Sequence, residues 1–418
     1  MQAKKDDKYK YHMGIEMRYY PSYQQEKLVN INIGTDRFIY NRMVALNNEK
    51  YRLTKTKDVC PCDKQRLDYV NTILSNLAEF QNSIPFLNEK SIDAQCIANA
   101  RMKYRKAWDN YKKNPNTGIP VFHKKGYDGS YQTNPHYYTN GGSNVHFTDK
   151  NHITIPILGR CKVKGSHKRI KEIMDRKDDI RFGTITVSRD AIGRYFISIQ
   201  LKSEKPFYKE LPKTGSMRGY DMNLENFYTD SDNNVIENRH FNRNLQKKLS
   251  KTQRVMSRRM EKAEKDGRKL DESKNYQKAR KKAAYIHSKI KGRREDFTHV
   301  LSKKEVESQD YLFVEDLQVK NLIKNSKLSY AINEAGWKSF HKKLEYKASL
   351  YGKTFLKVPA RLTTQTCSEC GYVLPKGERL TLNDREWACP SCGTHHFRDH
   401  NSAKVTLFRG MAILESNA

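Results

Sequence analysis

The sequence predicts a multidomain protein of mixed α+β and α/β class. A β domain, read as barrel-like, takes a helical insertion after its first strand, and a second sheet follows that carries a helical hairpin and a metal ribbon. Three observations lead there: apolar residues recur at helical spacing between Gln24 and Tyr111, short β-rich runs replace them from Pro115 to Pro212, and two Cys-x2-Cys pairs lie near the C-terminal end. With 418 residues and 37% hydrophobic content, the chain can bury more than one core.

The elements follow in order. His12 to Tyr20 alternates and stops at Pro21, as a strand does. Leu28, Ile31, Phe38, Ile39, Met43 and Leu46 mark a helix within Gln24 to Asn47, and Leu67, Ile73, Leu74, Leu77 and Phe80 mark a second. Ser91 to Tyr111 reads as a third, whose polar side carries Gln95, Asn99, Arg101, Lys103, Arg105 and Lys106. The β domain contains His152 to Leu158, Thr184 to Val187 and Arg194 to Leu201. The first strand is expected to join that sheet, because alone it would be an unpaired edge. Lys213 to Ser216 reads as a linker, after which Arg218 to Asp221, Phe227 to Asp230 and Val235 to Ile236 form a meander. Leu245, Leu249, Met256, Met260 and Ala263, then Ala279, Ala283, Ile286 and Ile290, give two amphipathic helices bent at Asp266-Gly267.

The charge balance narrows the partner. A formal charge of +32, from 79 Lys and Arg against 47 Asp and Glu, repels itself unless a polyanion neutralises it, and nucleic acid supplies the phosphates. The 25 Tyr and 16 Phe add flat faces on which bases stack. On the hairpin, Lys247, Lys248, Lys251, Arg258 and Arg259 form a cationic face, and acidic residues are too sparse for a coiled-coil partner. No apolar run approaches the ~20 residues that span a bilayer, so no membrane segment is expected. The lysine-rich start lacks the apolar stretch of a signal peptide, and the cysteine pattern points to metal ligation in a reducing cytoplasm.

Cys367, Cys370, Cys389 and Cys392 form the pattern of a four-thiolate zinc ribbon, with Gly371 and Gly393 following each pair where tight turns need positive φ. Four thiolates leave no open position, so this zinc is expected to be structural. Three carboxylates stand out by context. Asp221 closes an apolar strand, Glu315 ends the buried run Tyr311-Leu312-Phe313-Val314, and Asp399 lies at a helix start, where a simple N-cap is the competing reading. Carboxylates gathered at strand ends repel one another unless divalent cations compensate, and paired Mg²⁺ ions are suited to phosphodiester hydrolysis.

Gly219-Tyr220-Asp221, Val314-Glu315-Asp316-Leu317, the cysteine pairs and Arg398-Asp399-His400-Asn401-Ser402-Ala403 resemble, in order, the split RuvC motifs and zinc finger of TnpB proteins. Arg18-Tyr19-Tyr20-Pro21, Arg37-Phe38-Ile39-Tyr40-Asn41, Ala335-Gly336-Trp337 and Thr364-Gln365-Thr366-Cys367 extend the resemblance over almost the whole chain. It implies a wedge-type β-barrel (first strand within 1–23, the rest 115–213) interrupted by a helical recognition region (24–114). There follow an RNase H-like RuvC nuclease (214–365) with its basic hairpin (240–308), a zinc ribbon (366–396), and a last RuvC motif and helix (397–418). The implied activity is RNA-guided cleavage of double-stranded DNA with two Mg²⁺ ions on Asp221, Glu315 and Asp399, directed by a transposon-derived omega RNA. A short target-adjacent motif would be read by the recognition helices, and a monomer in a prokaryotic, nucleoid-associated setting is expected. Two positions depart from the family pattern: Asn223, where many relatives have Gly, and Ser402, where Ala is common. The rival readings are a compact type V CRISPR effector, a nuclease-dead RNA-guided repressor, and a zinc-ribbon DNA-binding protein without RNA.

Overall fold

The computed structural model describes residues 8–55, 60–114, 116–139, 141–241, 243–317, 326–381 and 383–416. The chain divides into two compact units, Met1–Phe207 and Tyr208–Ala418, both of mixed helix and sheet.

In the first unit, β1 (Tyr11–Tyr20) is followed by α1 (Tyr23–Lys55), α2 (Pro61–Ser75), α3 (Leu77–Asn82) and α4 (Ala94–Lys113). The chain then returns to β2 (Gly129–Thr133), β3 (His146–Asp149), β4 (His152–Ile155), β5 (Gly159–Lys164), β6 (Ile180–Arg189) and β7 (Tyr195–Ser203), with α5 (His167–Asp175) between β5 and β6. The first strand lies inside the sheet, whose order is β2-β6-β7-β1-β5-β4-β3, so the helices interrupt the sheet in sequence. The sheet is open, which corrects the expectation of a closed barrel. Closure needs a continuous ladder at a common tilt. Here β1 meets β5 only at Arg18, Tyr19 and Tyr20, the outer strands β2 and β3 have five and four residues, and no pairing joins them among the described residues.

The second expected helix is two. Asn76 ends α2 and caps α3, its side-chain oxygen accepting from Ala78 N and Glu79 N. Helix α5, absent from the sequence reading, had a legible signal: Ser166 accepts from Arg169 N as N-cap, and Ile170 and Ile173 are buried three residues apart. Arg101, expected on the polar face of α4, turns inward and donates to the Ile73 and Leu74 carbonyls, which end α2. Cys60 and Cys62 form a disulfide where the sequence predicts none, Cys60 serving also as the cap of α2.

In the second unit, β8 (Met217–Asp221), β9 (Asn226–Asp230) and β10 (Val235–Glu237) form the meander, and β11 (Tyr311–Glu315) and β12 (Thr354–Val358) extend the sheet in the order β10-β9-β8-β11-β12. Between them run α6 (Arg243–Lys265), α7 (Lys274–Ser308), α8 (Ser326–Ala335) and α9 (Trp337–Tyr351). A two-stranded ribbon, β13 (Glu386–Ala388) with β14 (His395–Phe397), precedes α10 (Arg398–Ser416). Strand β11 runs parallel to both β8 and β12. One face of the sheet buries Tyr220, Tyr228, Leu312 and Val314 against Trp337, Phe340 and Leu344 of α9. Buried beside them, Glu305 of α7 accepts hydroxyl bonds from Tyr220 and Tyr228, each at 2.8 Å, and an Arg218 bond at 3.1 Å, so the long helix is locked to β8 and β9.

Helix α10 covers the opposite face at unusually close range. A Cβ on Gly219 of β8 would overlap the Ala403 carbonyl, and one on Gly410 would overlap the Phe313 ring of β11. The expected linker at 213–216 is also pinned: Asp310 accepts from Thr214 N at 2.5 Å and Gly215 N at 2.6 Å while forming a buried ion pair with Lys353.

Replacing Gly219 or Gly410 with Ala is expected to destabilise by about 1–3 kcal/mol through overpacking. Gly292→Ala in α7, whose added methyl meets nothing within 4 Å, is expected to gain about 0.5–1 kcal/mol. Thermal unfolding decides, and a Gly219→Ala protein of unchanged Tm would mean that α10 has room to spare.

Candidate active site

The parallel register sets two carboxylates side by side. Tyr220 lies opposite Val314, so Asp221 and Glu315 end neighbouring strands at the same sheet edge. Both are nearly withdrawn from solvent, 4% and 5% exposed. Asp399 arrives from the first turn of α10, one residue inside the helix, where the helix dipole favours an anion. All three line one cleft of about 640 Å³, together with Asn223, Trp337, Arg385 and Arg398.

Each residue of the stretch 398–403 has a visible task. Arg398 donates to the Thr381 carbonyl at 2.8 Å and to Asp399 at 3.2 Å. His400 meets the Ser231 carbonyl at 3.1 Å. Asn401 ties the helix to the first cysteine turn, accepting from Ser368 N at 2.9 Å and donating to Thr366 O at 2.7 Å. Ser402 donates to Glu315 at 3.4 Å, and Ala403 sits over Gly219. The departure at Ser402 thus adds a hydroxyl to the carboxylate pair. The departure at Asn223 closes the turn after β8, its side-chain oxygen accepting from Asn226 N at 2.7 Å.

Burial, with Glu315 and Asp399 as neighbours, pushes the Asp221 carboxyl well above the usual carboxylate range. Burial also raises Glu315, partly offset by hydrogen bonds from Thr363, at 2.5 Å, and Ser402. Asp221 and Glu315 are thus buried acids side by side, while Asp399 beside them is already paired with Arg398. Hard divalent cations match such oxygen donors.

Sequence reasoning missed Arg385. It pairs with Glu225 at 2.5 Å and lies 3.7 Å from Asp399, reaching the cleft from the segment between the cysteine pairs. It also missed Thr363, whose hydroxyl orients Glu315. Neither has a spacing signature, since each comes to the site only through tertiary folding.

The four ribbon cysteines converge. Their sulfurs lie within 4.8 Å of one another, with Cys367 to Cys392 at 3.7 Å and Cys370 to Cys389 at 3.6 Å. A tetrahedral zinc with bonds of ~2.3 Å needs sulfur edges of ~3.8 Å, so the donor set fits that ion. Gly371 and Gly393, at φ 75° and 73°, close the two turns. The carboxylate oxygens are set more widely and form no cage of that tightness among the described residues.

On the hairpin, Lys247, Lys248, Lys251 and Arg258 are exposed, while Leu249, Ala279, Ala283 and Ile286 bury its seam. Arg259 differs: it donates to the Asn275 carbonyl at 2.7 Å, bracing one helix against the other. In the first unit, a cleft of about 630 Å³ beside α4 is lined by Asn99, Lys103, Lys106, Gln132 and Asn134.

The raised Asp221 pKa has a consequence for stability. The folded state holds this proton more tightly than the unfolded state, so its stabilisation is complete below the ordinary carboxylate pKa of ~3.9 and is lost as pH rises through the raised value. In magnesium-free buffer, Asp221→Asn is therefore expected to melt higher than the parent, by a margin that widens with pH. Thermal melts of both proteins across pH check this, and a margin that shrinks with rising pH would contradict it.

Three family models match in succession along the chain: a helix-turn-helix domain of the OrfB/IS605 type at 12–56, the OrfB/IS605 family described as "Probable transposase" at 198–326, and the Cas12f1-like TNB domain at 337–406. Within that match, residues 12–55 form a strand and one long helix here. A protein of Streptomyces pristinaespiralis, named as a proposed RNA-guided DNA endonuclease, is 37% identical over 55% of this chain; the match spans about half of that relative, 53% of its length. InsQ of Escherichia coli K12, named likewise, is 26% identical over 94% of this chain and 91% of its own. The fold is similar to that of Cas12f1 solved with sgRNA and target DNA (TM-score 0.53, 14% identity, 95% of this chain and 98% of that one). The mini-RNA-guided endonuclease CRISPR-Cas-phi3 is a second fold relative (TM-score 0.50, 10% identity, 96% and 92%). In order along the chain and with the motifs they contain, these matches make the chain similar over most of its length to OrfB/IS605-type transposon proteins and to relatives named as RNA-guided DNA endonucleases.

Proposed function

We propose that the protein is an RNA-guided DNA endonuclease whose second unit is an RNase H-like, RuvC-type nuclease. The observation that carries this reading is the meeting of Asp221, Glu315 and Asp399, remote in sequence, in one cleft of a basic protein. The relatives named as RNA-guided DNA endonucleases support the same activity.

Asp221, Glu315 and Asp399 would hold the divalent cations. When bound, a pair of Mg²⁺ ions supplies activation of the attacking water and stabilisation of the departing 3′ oxygen. The chain's own groups do the rest. Thr363 and Ser402 fix Glu315, Arg398 braces Asp399, and the exposed guanidinium of Arg385 faces the cleft where a phosphate would lie. The four cysteines would hold a structural zinc that fixes the start of α10, and so Asp399, through Asn401.

In this reading, α1 to α4 form the recognition helices, and the cleft bearing Asn99, Gln132 and Asn134 reads the target-adjacent motif, since amides pair with base edges. Base pairing to the guide reads the remaining target, and the hairpin cations grip the guide–target duplex by its backbone. The fold likeness to Cas12f1 keeps a CRISPR effector as the second reading. Sequencing the RNA that co-purifies with the protein separates them: a transposon-end transcript supports the first and a CRISPR repeat the second.

Asp221→Ala, Glu315→Ala and Asp399→Ala are each expected to slow cleavage by more than ~10³-fold while leaving RNA-guided binding of DNA nearly intact. Near-normal cutting by any one of them removes that residue from the site. Cys367→Ser or Cys389→Ser is expected to release one zinc per chain, measured by elemental analysis, and to lower the Tm of the second unit. Normal zinc content in both would break the ribbon assignment. Replacing Lys247, Lys248, Lys251 and Arg258 with Gln is expected to weaken all matched targets alike and to reduce the slope of log K against log salt by about 3–4. Loss confined to some sequences would show instead that these residues read bases.

A further inference from the structure

A second cavity, of about 390 Å³, opens beside the carboxylate cleft and shares Glu225, Arg385, Arg398 and Asp399 with it. Asp399 and Arg385 thus face both cavities. The wall of the smaller one changes character: Phe397 and Val235 stand there 54% and 49% exposed. Single exposed apolar side chains are ordinary on a protein surface. These two are set apart by their place on the wall of a cavity that also bears Asp399, the neighbour of the buried Asp221 and Glu315. Phe397 ends β14 only two residues before Asp399, and the His395 ring meets it edge-on at 5.9 Å and 89°. The ring stands beside the cleft, edge-on to His395 and more than half open to solvent.

An aromatic face beside an arginine, in a cavity adjoining a phosphodiester site, has the chemistry of a base-stacking platform. A base inside a duplex offers no free face, so the occupant must be unpaired. We propose that this cavity receives one unpaired base of the strand being cut, stacked on Phe397 and packed against Val235, while the backbone of that strand runs past Arg385 to the carboxylates. The proposal rests on the nuclease reading and adds to it the element that sets the strand in register. Every base has a π face, so the platform tolerates any sequence. Phe397 acts here as a substrate-positioning residue.

The test uses the complete chain with its co-purifying RNA and matched target DNAs, each bearing one abasic nucleotide at successive positions around the cut. In the parent, one abasic position close to the scissile phosphate is expected to slow single-turnover cleavage about tenfold, in line with the worth of one base–aromatic stack. Phe397→Ala is expected to slow the intact target by a similar factor and to be indifferent to that abasic site, and Phe397→Tyr to restore both. A readout independent of cutting places 2-aminopurine at the same position and binds the DNA to Asp221→Ala protein. Its fluorescence is expected to be quenched with Phe397 in place and to recover when Phe397 is also Ala. A flat abasic profile in a parent that cuts, or a Phe397→Ala protein that keeps the full abasic effect, overturns the stacking proposal alone. A parent that cuts no target contradicts the nuclease reading, and this proposal with it.

Discussion

The close descent of α10 onto the sheet is the constraint on which the site depends. Gly219 lets the backbone of α10 lie directly on β8, and Gly410 makes room for the Phe313 ring of β11, so the start of the helix meets the carboxyl ends of β8 and β11. An extra methyl at either glycine would lift the helix, and Asp399 would leave the other two acids. Asn401 then fastens that same turn to the first cysteine pair, which couples the ribbon to the cleft through two hydrogen bonds. A metal that orders the ribbon therefore also orders an acid of the cleft, although the two sites share no ligand.

The acids themselves are held against their preference. Burial and mutual repulsion raise Asp221 and burial raises Glu315, while the surrounding hydroxyls of Thr363 and Ser402 offset only part of this. Such a site stores an electrostatic penalty that a cation relieves, and the rigid Glu305 network beneath β8 and β9 keeps the strands from relaxing away. Binding and stability are in this way opposed in the empty cleft and aligned in the filled one.

Much of this was legible in the sequence because it is local. Strand ends at Asp221 and Glu315, the paired cysteines, the hairpin bend at Gly267 and the helix after Arg398 all have short-range signals. What escaped depends on distant contacts. Arg385 enters the cleft only because the ribbon folds over it, Arg101 faces inward because α2 ends beside it, and Arg259 is spent on bracing the hairpin. The open sheet of the first unit escaped for a related reason: strand count can be read from alternation, whereas closure depends on stagger, which alternation does not encode.

The central claim is that the three carboxylates act through divalent cations in direct contact with the phosphate being cut. Sulfur in place of a non-bridging oxygen at the scissile phosphate tests it most directly, because Mg²⁺ binds sulfur poorly while Mn²⁺ and Cd²⁺ accept it. The account predicts that one thio-substituted target is cut slowly in Mg²⁺ and recovers in Mn²⁺ or Cd²⁺, and that Asp221→Ala shows no such recovery. Cleavage that is unaffected by sulfur on either oxygen, or that persists after all divalent ions outside the zinc ribbon are removed, would contradict it.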